Sequence, residues 1–263
     1  MNIPAPLDDL LQLANQAGDA ILAIYNTDFE VEKKQDNSPL TAADTAAHRV
    51  IVSTLERLTP DIPVLSEESS EVPFSTRRQW QRYWLIDPLD GTREFVKRNG
   101  EFTVNIALIE GQTATLGIVH APVLGTTYYG IHDIGAWKKE ADQPAQSIRV
   151  TGRCRNPARV AGSRSHAGDS LMRFLTKLGD HELVSMGSSL KLCLVAEGKA
   201  DIYPRLGPTS EWDTAAAQAV VEAAGGRVTT LDLQPLKYNT GDSLLNPHFL
   251  VFGDQTRNWS DYL

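Results

Sequence analysis

The chain has 263 residues, and its hydrophobic content of 41% and charged content of 22% are typical of a globular protein with a substantial core. A net charge of −8 argues against a nucleic-acid-binding surface, which requires a basic face. No apolar stretch reaches the length of a membrane span, and the first residues have neither the basic nor the apolar region of a signal peptide, so we expect a cytoplasmic enzyme.

The cysteines do not indicate a disulfide framework or a zinc site. There are two, Cys154 and Cys193, and they lack the paired spacing of zinc ligands. Cys193 lies in an apolar helical run, so we expect it to be a small buried side chain.

Two amphipathic helices are predicted near the N-terminus. Apolar residues recur at helical spacing from Leu7 to about Tyr25, and Phe29–Lys33 is predicted as a strand. A second helix opens at Thr41, has Asp44 at capping-box spacing, and stops at Pro60. Asp44 is therefore either a helix-start residue or, because a polar loop precedes it, a carboxylate close to a ligand.

Carboxylates follow two short predicted strands. Val64-Leu65 runs into Glu67 and Glu68, and Tyr83–Ile86 runs into Asp87. Adjacent acids at the end of a strand are usually solvated, but the ends of neighbouring strands in one sheet lie close together. The coincidence favours a shared metal site.

The stretch Asp87–Thr92 is the strongest chemical signal in the chain. We expect the strand to stop and the chain to turn here, before a helix that starts at Thr92. The carboxylates of Asp87 and Asp90, the Leu89 carbonyl and the Thr92 hydroxyl would then lie in one corner. Hard divalent cations prefer such oxygens, and a helix start suits a phosphate. The alternative is an ordinary turn, since Asp, Pro and Gly are common turn residues.

The middle of the chain predicts an antiparallel meander. Four closely spaced runs separated by glycines carry strand patterns: Thr103–Ile109, Thr115–His120, Thr126–Ile131 and Gly135–Lys138. His120 and His132 lie at strand ends without a second ligand nearby in the sequence, so we expect both to be structural.

From Arg149 onward, strands alternate with helices, which is typical of a parallel or mixed sheet. The predicted strands are Arg159–Gly162, Leu183–Met186, Ile202–Arg205 and Phe249–Phe252.

Two helix starts in this half have functional potential. Gly187–Ser189 precedes a helix whose first turn holds Lys191, which is either an anion seat or an ordinary helix start with a surface lysine. Asp213 lies in the first turn of a helix that opens at Ser210, where it either complements the helix dipole or serves as a ligand.

Three signatures in this order resemble the inositol monophosphatase superfamily of metal-dependent phosphatases. They are Glu67-Glu68 after a strand, Asp87–Thr92, and Trp212-Asp213-Thr214-Ala215-Ala216 at a helix start. Within the superfamily, segments 97–103, 163–166, 187–191 and 201–205 are similar to the bacterial CysQ-type 3'(2'),5'-bisphosphate nucleotidases.

The resemblance implies a mixed α/β fold, a layered αβαβα sandwich. Residues 1–148 would contribute the N-terminal helices, the antiparallel sheet and most metal ligands. Residues 149–263 would contribute an α/β half with substrate-binding residues and the last metal ligand. The two halves would form one integrated catalytic unit.

The resemblance also implies roles for individual residues. Two or three Mg²⁺ ions would be held by Glu67, Asp87, the Leu89 carbonyl, Asp90 and Asp213. Asp44 and Thr92 would orient and deprotonate the attacking water. Substrate would be contacted by ten residues: Glu67, Leu89, Asp90, Gly91, Thr92, His166, Ser188, Lys191, Arg205 and Asp213. Bound cations would also explain how an acidic protein accepts a phosphate ester.

The implied reaction is hydrolysis of the 3'-phosphate of 3'-phosphoadenosine 5'-phosphate (PAP) to AMP and phosphate, in sulfate assimilation and with inhibition by Li⁺. Removal of the 3'-phosphate from the activated sulfate donor (PAPS, giving APS) is a second expected reaction. The alternatives are an inositol monophosphatase, a fructose-1,6-bisphosphatase, or a metal or nucleotide sensor without turnover. We expect a monomer or homodimer, in the cytoplasm or peripherally attached to the inner membrane.

Overall fold

A computed structural model describes residues 3–27, 32–33, 39–40, 42–162 and 169–263. Three predicted features lie outside these ranges: most of the strand Phe29–Lys33, Thr41 with its capping box, and His166. No helix within the described residues is long and apolar enough to cross a membrane.

Two long helices form the first layer. α1 (Leu7–Tyr25) has its predicted bounds, and the short strands β1 (Glu32–Lys33) and β2 (Pro39–Leu40) pair between it and α2 (Ala42–Leu58). Both helices bury an apolar stripe against one another and the neighbouring sheet, because their apolar residues recur on one face. The buried side chains of α1 are Leu10, Leu13, Ala14, Ala17, Ile21 and Tyr25.

The second layer is a seven-stranded sheet in sequential order. Its first two strands are parallel and the rest form the predicted antiparallel meander. The strands are β3 (Val64–Ser66), β4 (Arg82–Asp90), β5 (Thr103–Glu110), β6 (Thr113–Ala121), β7 (Thr126–Ile131), β8 (Gly135–Glu140) and β9 (Gln146–Ile148). Two short helices, α3 (Phe74–Arg77) and α4 (Thr92–Val96), lie in the connections before and after β4.

The C-terminal part forms a five-stranded mixed sheet, as predicted, in the order β11-β10-β12-β14-β13. Its strands are β10 (Ala158–Gly162), β11 (His181–Ser185), β12 (Ile202–Arg205), β13 (Arg227–Thr230) and β14 (Phe249–Phe252). Its helices are α5 (Asp169–Leu178), α6 (Leu190–Ala196) and α7 (Glu211–Ala223).

Helices α6 and α7 form the layer between the two sheets. Their apolar residues, including the buried thiol of Cys193, share one core with side chains of both sheets. α7 approaches the first sheet at backbone distance: a Cβ on Gly117 would lie 2.0 Å from the Ala216 carbonyl oxygen, and one on Gly130 would lie 2.6 Å from Val220 Cα. Only glycine permits this contact, which fixes the height of α7 above the sheet.

A third core lies on the far face of the second sheet, where α5 packs with Trp259 against Val160 and Leu250. The order of layers is therefore α1/α2, first sheet, α6/α7, second sheet, α5. This confirms the predicted αβαβα sandwich. Trp259 is fully buried, so the chain beyond Phe252 is part of the core.

The structure corrects the sequence prediction at several elements. β4 does not stop at Ile86 but continues to Asp90, and the chain turns only at Gly91. Among the described residues, six short elements were not predicted: β2, α3, β9, β13 and the 3₁₀-helices Glu67–Ser69 and Trp259–Tyr262. Each has fewer than five residues, too few for a periodic pattern to appear.

Candidate active site

A bulge in β4 places the first two carboxylates. Asp87 pairs with Asn105 and Asp90 pairs with Thr103, so β4 holds one residue more than β5 over this interval. Pro88 lies within the bulge, where its missing N–H breaks no ladder bond. Asp87 Oδ1 accepts a hydrogen bond from Leu89 N at 3.0 Å. The bulge therefore keeps both carboxylates beside β5 at the end of the strand.

Gly91 and Thr92 follow directly. Gly91 has φ of +93°, a left-handed conformation that suits glycine, and it precedes the first residue of α4, Thr92. The predicted helix start after the carboxylates is confirmed.

Asp213 enters from the first turn of α7. Its Oδ2 accepts a hydrogen bond from Ser210 N at 2.9 Å, and together the two residues form a capping box. The loop after β13 packs across this helix start: Glu211 N donates to Leu244 O at 2.8 Å, and Asn246 Nδ2 donates to Ser210 O at 2.7 Å.

That loop is held in turn by a buried arginine. Arg77 is 1% exposed, and its guanidinium donates to Asn239 Oδ1 at 2.6 Å and to the carbonyls of Gly241 and Asp242. Asn239 N donates to both carboxylate oxygens of Glu211, the first residue of α7. Arg77 thus reaches the α7 start through one intermediate residue.

The two regions meet in a group of three carboxylates. One oxygen each of Asp87, Asp90 and Asp213 lies within 4.8 Å of the others. Burial raises the pKa of Asp87 well above its usual range, and the charges of Glu67, Asp90, Asp213 and Asp44 raise it further. Burial and then the charge of Asp90 raise the pKa of Asp213 to about 8. Desolvated acids that repel one another fit a site built around cations.

Glu67 and Asp44 lie at the edge of this group. Glu67 is the first residue of a short 3₁₀-helix directly after β3, and the parallel pairing of β3 with β4 brings the two strand ends together as predicted. Asp44 is buried in the first turn of α2. Neither belongs to the 4.8 Å group, but both add negative charge at Asp87.

Asp90 also binds the loop between β11 and α6. The Ser188 hydroxyl and Ser189 N both donate to Asp90 Oδ2, the latter at 2.6 Å. Gly187 N donates to Glu101 Oε2 at 2.8 Å. The sequence suggested an anion seat at this helix start, and the anion that it binds here is Asp90 itself.

A cavity of about 540 Å³ opens beside the carboxylates. Its lining includes Asp90, Gly91, Ser188, Lys191, Arg205 and Asp213. Lys191 is 7% exposed, and its Nζ donates to Ser188 O at 2.6 Å and lies 5.6 Å from the centre of the Tyr203 ring. It is therefore a buried lysine beside the cavity rather than a surface lysine.

Arg205 is anchored more loosely at the same cavity. Its Nη2 donates to Pro208 O at 2.7 Å, and its charge partly offsets the rise in the pKa of Asp213.

Sequence reasoning missed the residues that support these groups. Arg77, Thr103 and Asn105 are buried around the site; Arg77 and Asn105 belong to no motif, and Thr103 ends the family-like segment 97–103 but was given no role there. Thr103 and Asn105 offered one signal, because they are polar positions on a strand whose same-face neighbour Ala107 is buried. His132 is paired with Asp133 at the surface, His120 is buried against Thr127, and neither belongs to the carboxylate group.

Comparison with known proteins agrees with the fold. The profile of the inositol monophosphatase family matches residues 5–257. The 3'(2'),5'-bisphosphate nucleotidase CysQ of Salmonella typhimurium is 54% identical over 93% of this chain and 98% of its own length. That of Haemophilus influenzae is 40% identical over 96% of this chain and 94% of its own. The crystal structure of CysQ from Bacteroides thetaiotaomicron has a TM-score of 0.82 at 40% identity, covering 94% of this chain and 97% of that one. The chain belongs to the inositol monophosphatase family.

Proposed function

We propose that this protein is a metal-dependent 3'(2'),5'-bisphosphate nucleotidase that hydrolyses PAP to AMP and phosphate. The observation that carries the proposal is the 540 Å³ cavity, whose lining combines the carboxylates Asp90 and Asp213 with the cations Lys191 and Arg205. A monophosphate needs the metal site alone, whereas a bisphosphate brings a second anion that these cations match. The identity of 54% to a protein named as such a nucleotidase supports the same substrate class.

Five groups would hold two or three Mg²⁺ ions: Glu67, Asp87, the Leu89 carbonyl, Asp90 and Asp213. When bound, Mg²⁺ neutralises the phosphate oxygens and the departing sugar oxygen and makes water more acidic. Oxygen ligands from two strand ends and one helix start suit this hard cation.

The chain's own residues would position and deprotonate the nucleophile. The Thr92 hydroxyl orients the attacking water, and Asp44 accepts its proton as the new bond to phosphorus forms and the bond to the 3'-oxygen breaks. The 3'-oxygen takes up a proton from a second water molecule and leaves as the 3'-hydroxyl of AMP. The N–H groups of Gly91 and Thr92 at the start of α4 bind the phosphate oxygens. Lys191, Arg205 and, outside the described residues, His166 would contact the nucleotide and its second phosphate.

The proposal extends to physiology and domain organisation. Removal of the 3'-phosphate from PAPS, giving APS, requires the same chemistry, and both reactions belong to sulfate assimilation. Asp90 ends a strand of the first sheet and Asp213 lies in the first turn of α7, yet both belong to one cluster, which supports residues 1–148 and 149–263 acting as one catalytic unit.

A substrate panel tests the proposal. Phosphate release is measured with PAP, PAPS, inositol 1-phosphate and fructose 1,6-bisphosphate, each with Mg²⁺, with EDTA, and with Mg²⁺ plus Li⁺. We expect PAP to give the highest kcat/KM and EDTA to abolish turnover. A preference for inositol 1-phosphate or the sugar bisphosphate would replace the proposed substrate, and nucleotide binding without phosphate release would indicate a sensor.

A further inference from the structure

A buried hydroxyl cluster joins β5 to the loop between β11 and α6. Thr103 is fully buried at the start of β5, and its Oγ1 lies 2.6 Å from Ser188 Oγ, 2.9 Å from Ser189 Oγ and 3.1 Å from Asn105 Oδ1. Ser189 Oγ also donates to Asn105 Oδ1 at 2.9 Å. Thr103 is the centre of this cluster, which joins the first sheet to a loop that follows a strand of the second sheet.

The cluster ends on the carboxylate of Asp90. Ser188 has φ of 52°, a left-handed conformation that is strained for a non-glycine residue. This conformation accompanies two donors, the Ser188 hydroxyl and Ser189 N, on one oxygen of Asp90. Backbone strain at a functional site persists where the surroundings enforce it, and Thr103 Oγ1 lies 2.6 Å from the hydroxyl of this strained residue.

The hydrogen bonds give the hydroxyl protons a direction. Ser188 donates its proton to Asp90 Oδ2. Ser188 Oγ is then an acceptor for the Thr103 hydroxyl at 2.6 Å, whose single proton is shared with Asn105 Oδ1 at 3.1 Å, while Ser189 also donates to Asn105 Oδ1. The hydroxyls of Thr103 and Ser188 therefore form a connected series that ends on Asp90.

We propose that Thr103 is a positioning residue that acts through Ser188 to fix the orientation of Asp90 for divalent-cation binding. The inference rests on the proposed function for the role of Asp90 as a ligand. It assigns Ser188 to the support of a metal ligand rather than to the nucleotide contact that the family resemblance implies. Hydrogen bonds to a ligating carboxylate set its orientation and basicity, and their loss typically weakens metal binding about 10–100-fold.

Three variants test this assignment. Thr103→Val keeps the shape and removes the hydroxyl, and Thr103→Ser restores the hydroxyl without the methyl group. The matched control is Thr229→Val, because Thr229 is also a buried strand threonine and its Oγ1 has no hydrogen-bond partner among the described residues. Thermal unfolding of metal-free protein reports the purely structural cost of each change.

Metal binding is measured without substrate. Mn²⁺ is titrated into metal-free protein, and the electron paramagnetic resonance signal of the free ion is followed, with Mg²⁺ as competitor. We expect Thr103→Val to weaken Mn²⁺ binding by about tenfold or more. Thr103→Ser and Thr229→Val should bind Mn²⁺ as the wild type does. Equal affinity of Thr103→Val and wild type would overturn the proposal, as would failure of Thr103→Ser to restore binding.

Kinetics then separate positioning from nucleotide contact. At saturating Mg²⁺, Thr103→Val should leave the KM for PAP unchanged, and at limiting Mg²⁺ it should need more metal for half-maximal rate. A raised KM at saturating metal would instead identify Ser188 as a nucleotide contact. The proposed function has its own test: it fails if the wild type releases no phosphate from PAP. The Mn²⁺ titration does not depend on that result, so the two failures can be told apart.

Discussion

The two regions that supply the carboxylate cluster are fixed in different ways. Asp87 and Asp90 lie on one bulged strand, so the covalent chain and the ladder to β5 set their separation. Asp213 lies at a helix start whose position depends on a loop and on Arg77, which belongs to the other half of the sequence. One region is therefore a local motif, and the other is a product of tertiary packing.

The largest expected effect comes from removing a carboxylate on the strand side. Asp90→Asn deletes a charge of the cluster and replaces one carboxylate oxygen by an NH₂ group that cannot bind a cation, while its amide oxygen can still accept from the two serine donors. Mg²⁺-dependent turnover of PAP should therefore fall by more than about 100-fold, beyond the usual effect of a supporting residue. Steady-state phosphate release at several Mg²⁺ concentrations measures this. Asp61→Asn, at an exposed turn before β3, is the control for the same chemical change.

Near wild-type turnover of Asp90→Asn would remove the strand motif from the metal site. If high Mg²⁺ restored full turnover to Asp90→Asn, Asp90 would contribute to Mg²⁺ affinity but not to the geometry of the bound ions.

The same difference explains what the sequence could predict. Asp87–Thr92 is contiguous, so its residue types alone predicted a site for a metal ion and a phosphate. Long helices and strands were predictable because their periodic patterns extend over many residues. Arg77 and Thr103 were not, because their partners lie far away in the sequence and are identified only by packing.

The bulge in β4 was also hidden from sequence reasoning. Proline, glycine and aspartate usually indicate a turn, and here pairing with β5 overrides that preference as far as Asp90. A tertiary contact decided where the strand ended.

The position of the α7 start, and with it Asp213, can be disturbed from a distance by the substitution Arg77→Met. Removing this buried guanidinium leaves the Asn239 side chain and two loop carbonyls without their donor, at a cost of about 3–5 kcal/mol, and should lower the Tm by roughly 10 °C. Because the loop holds Glu211 and the α7 start, the Mg²⁺ concentration for half-maximal rate should also rise.

Arg82→Met is the matched control, since Arg82 pairs with Glu110 in a half-exposed position on β4. It should change the Tm little, as surface ion pairs do. If Arg77→Met lowered the Tm without changing the Mg²⁺ requirement, Asp213 would be held by its capping box alone.

Proton binding to Asp213 predicts a pH dependence. Its pKa is about 8 in the metal-free fold and near 3.8 for an unperturbed aspartate, so the folded state binds the proton more tightly than the unfolded state. Stability of the metal-free protein should therefore fall as pH rises from about 4 to about 8, and burial of Asp87 acts in the same direction.

Metal affinity should respond with the opposite sign. Binding must displace the Asp213 proton below pH about 8, so this group alone should increase affinity by up to about tenfold per pH unit, an effect that levels off above that value. Mn²⁺ titrations and urea unfolding with EDTA across this range measure both effects. Asp213→Asn should flatten the fall in metal-free stability, and an unchanged slope would assign the proton to another group.

The smallest effect is expected for Lys191→Ala, which tests recognition of the substrate rather than of the metal. Lys191→Ala removes a buried cation beside the cavity and should raise the KM for PAP by about tenfold, the value of one charge-assisted hydrogen bond. Adenosine 3'-monophosphate has the same scissile bond without the second phosphate, so its kcat/KM should barely change. The ratio of kcat/KM for the two nucleotides therefore reports recognition of the second anion. An equal loss for both substrates would mean that Lys191 acts only by holding the Ser188 carbonyl, and so belongs to the support of Asp90 rather than to the nucleotide site.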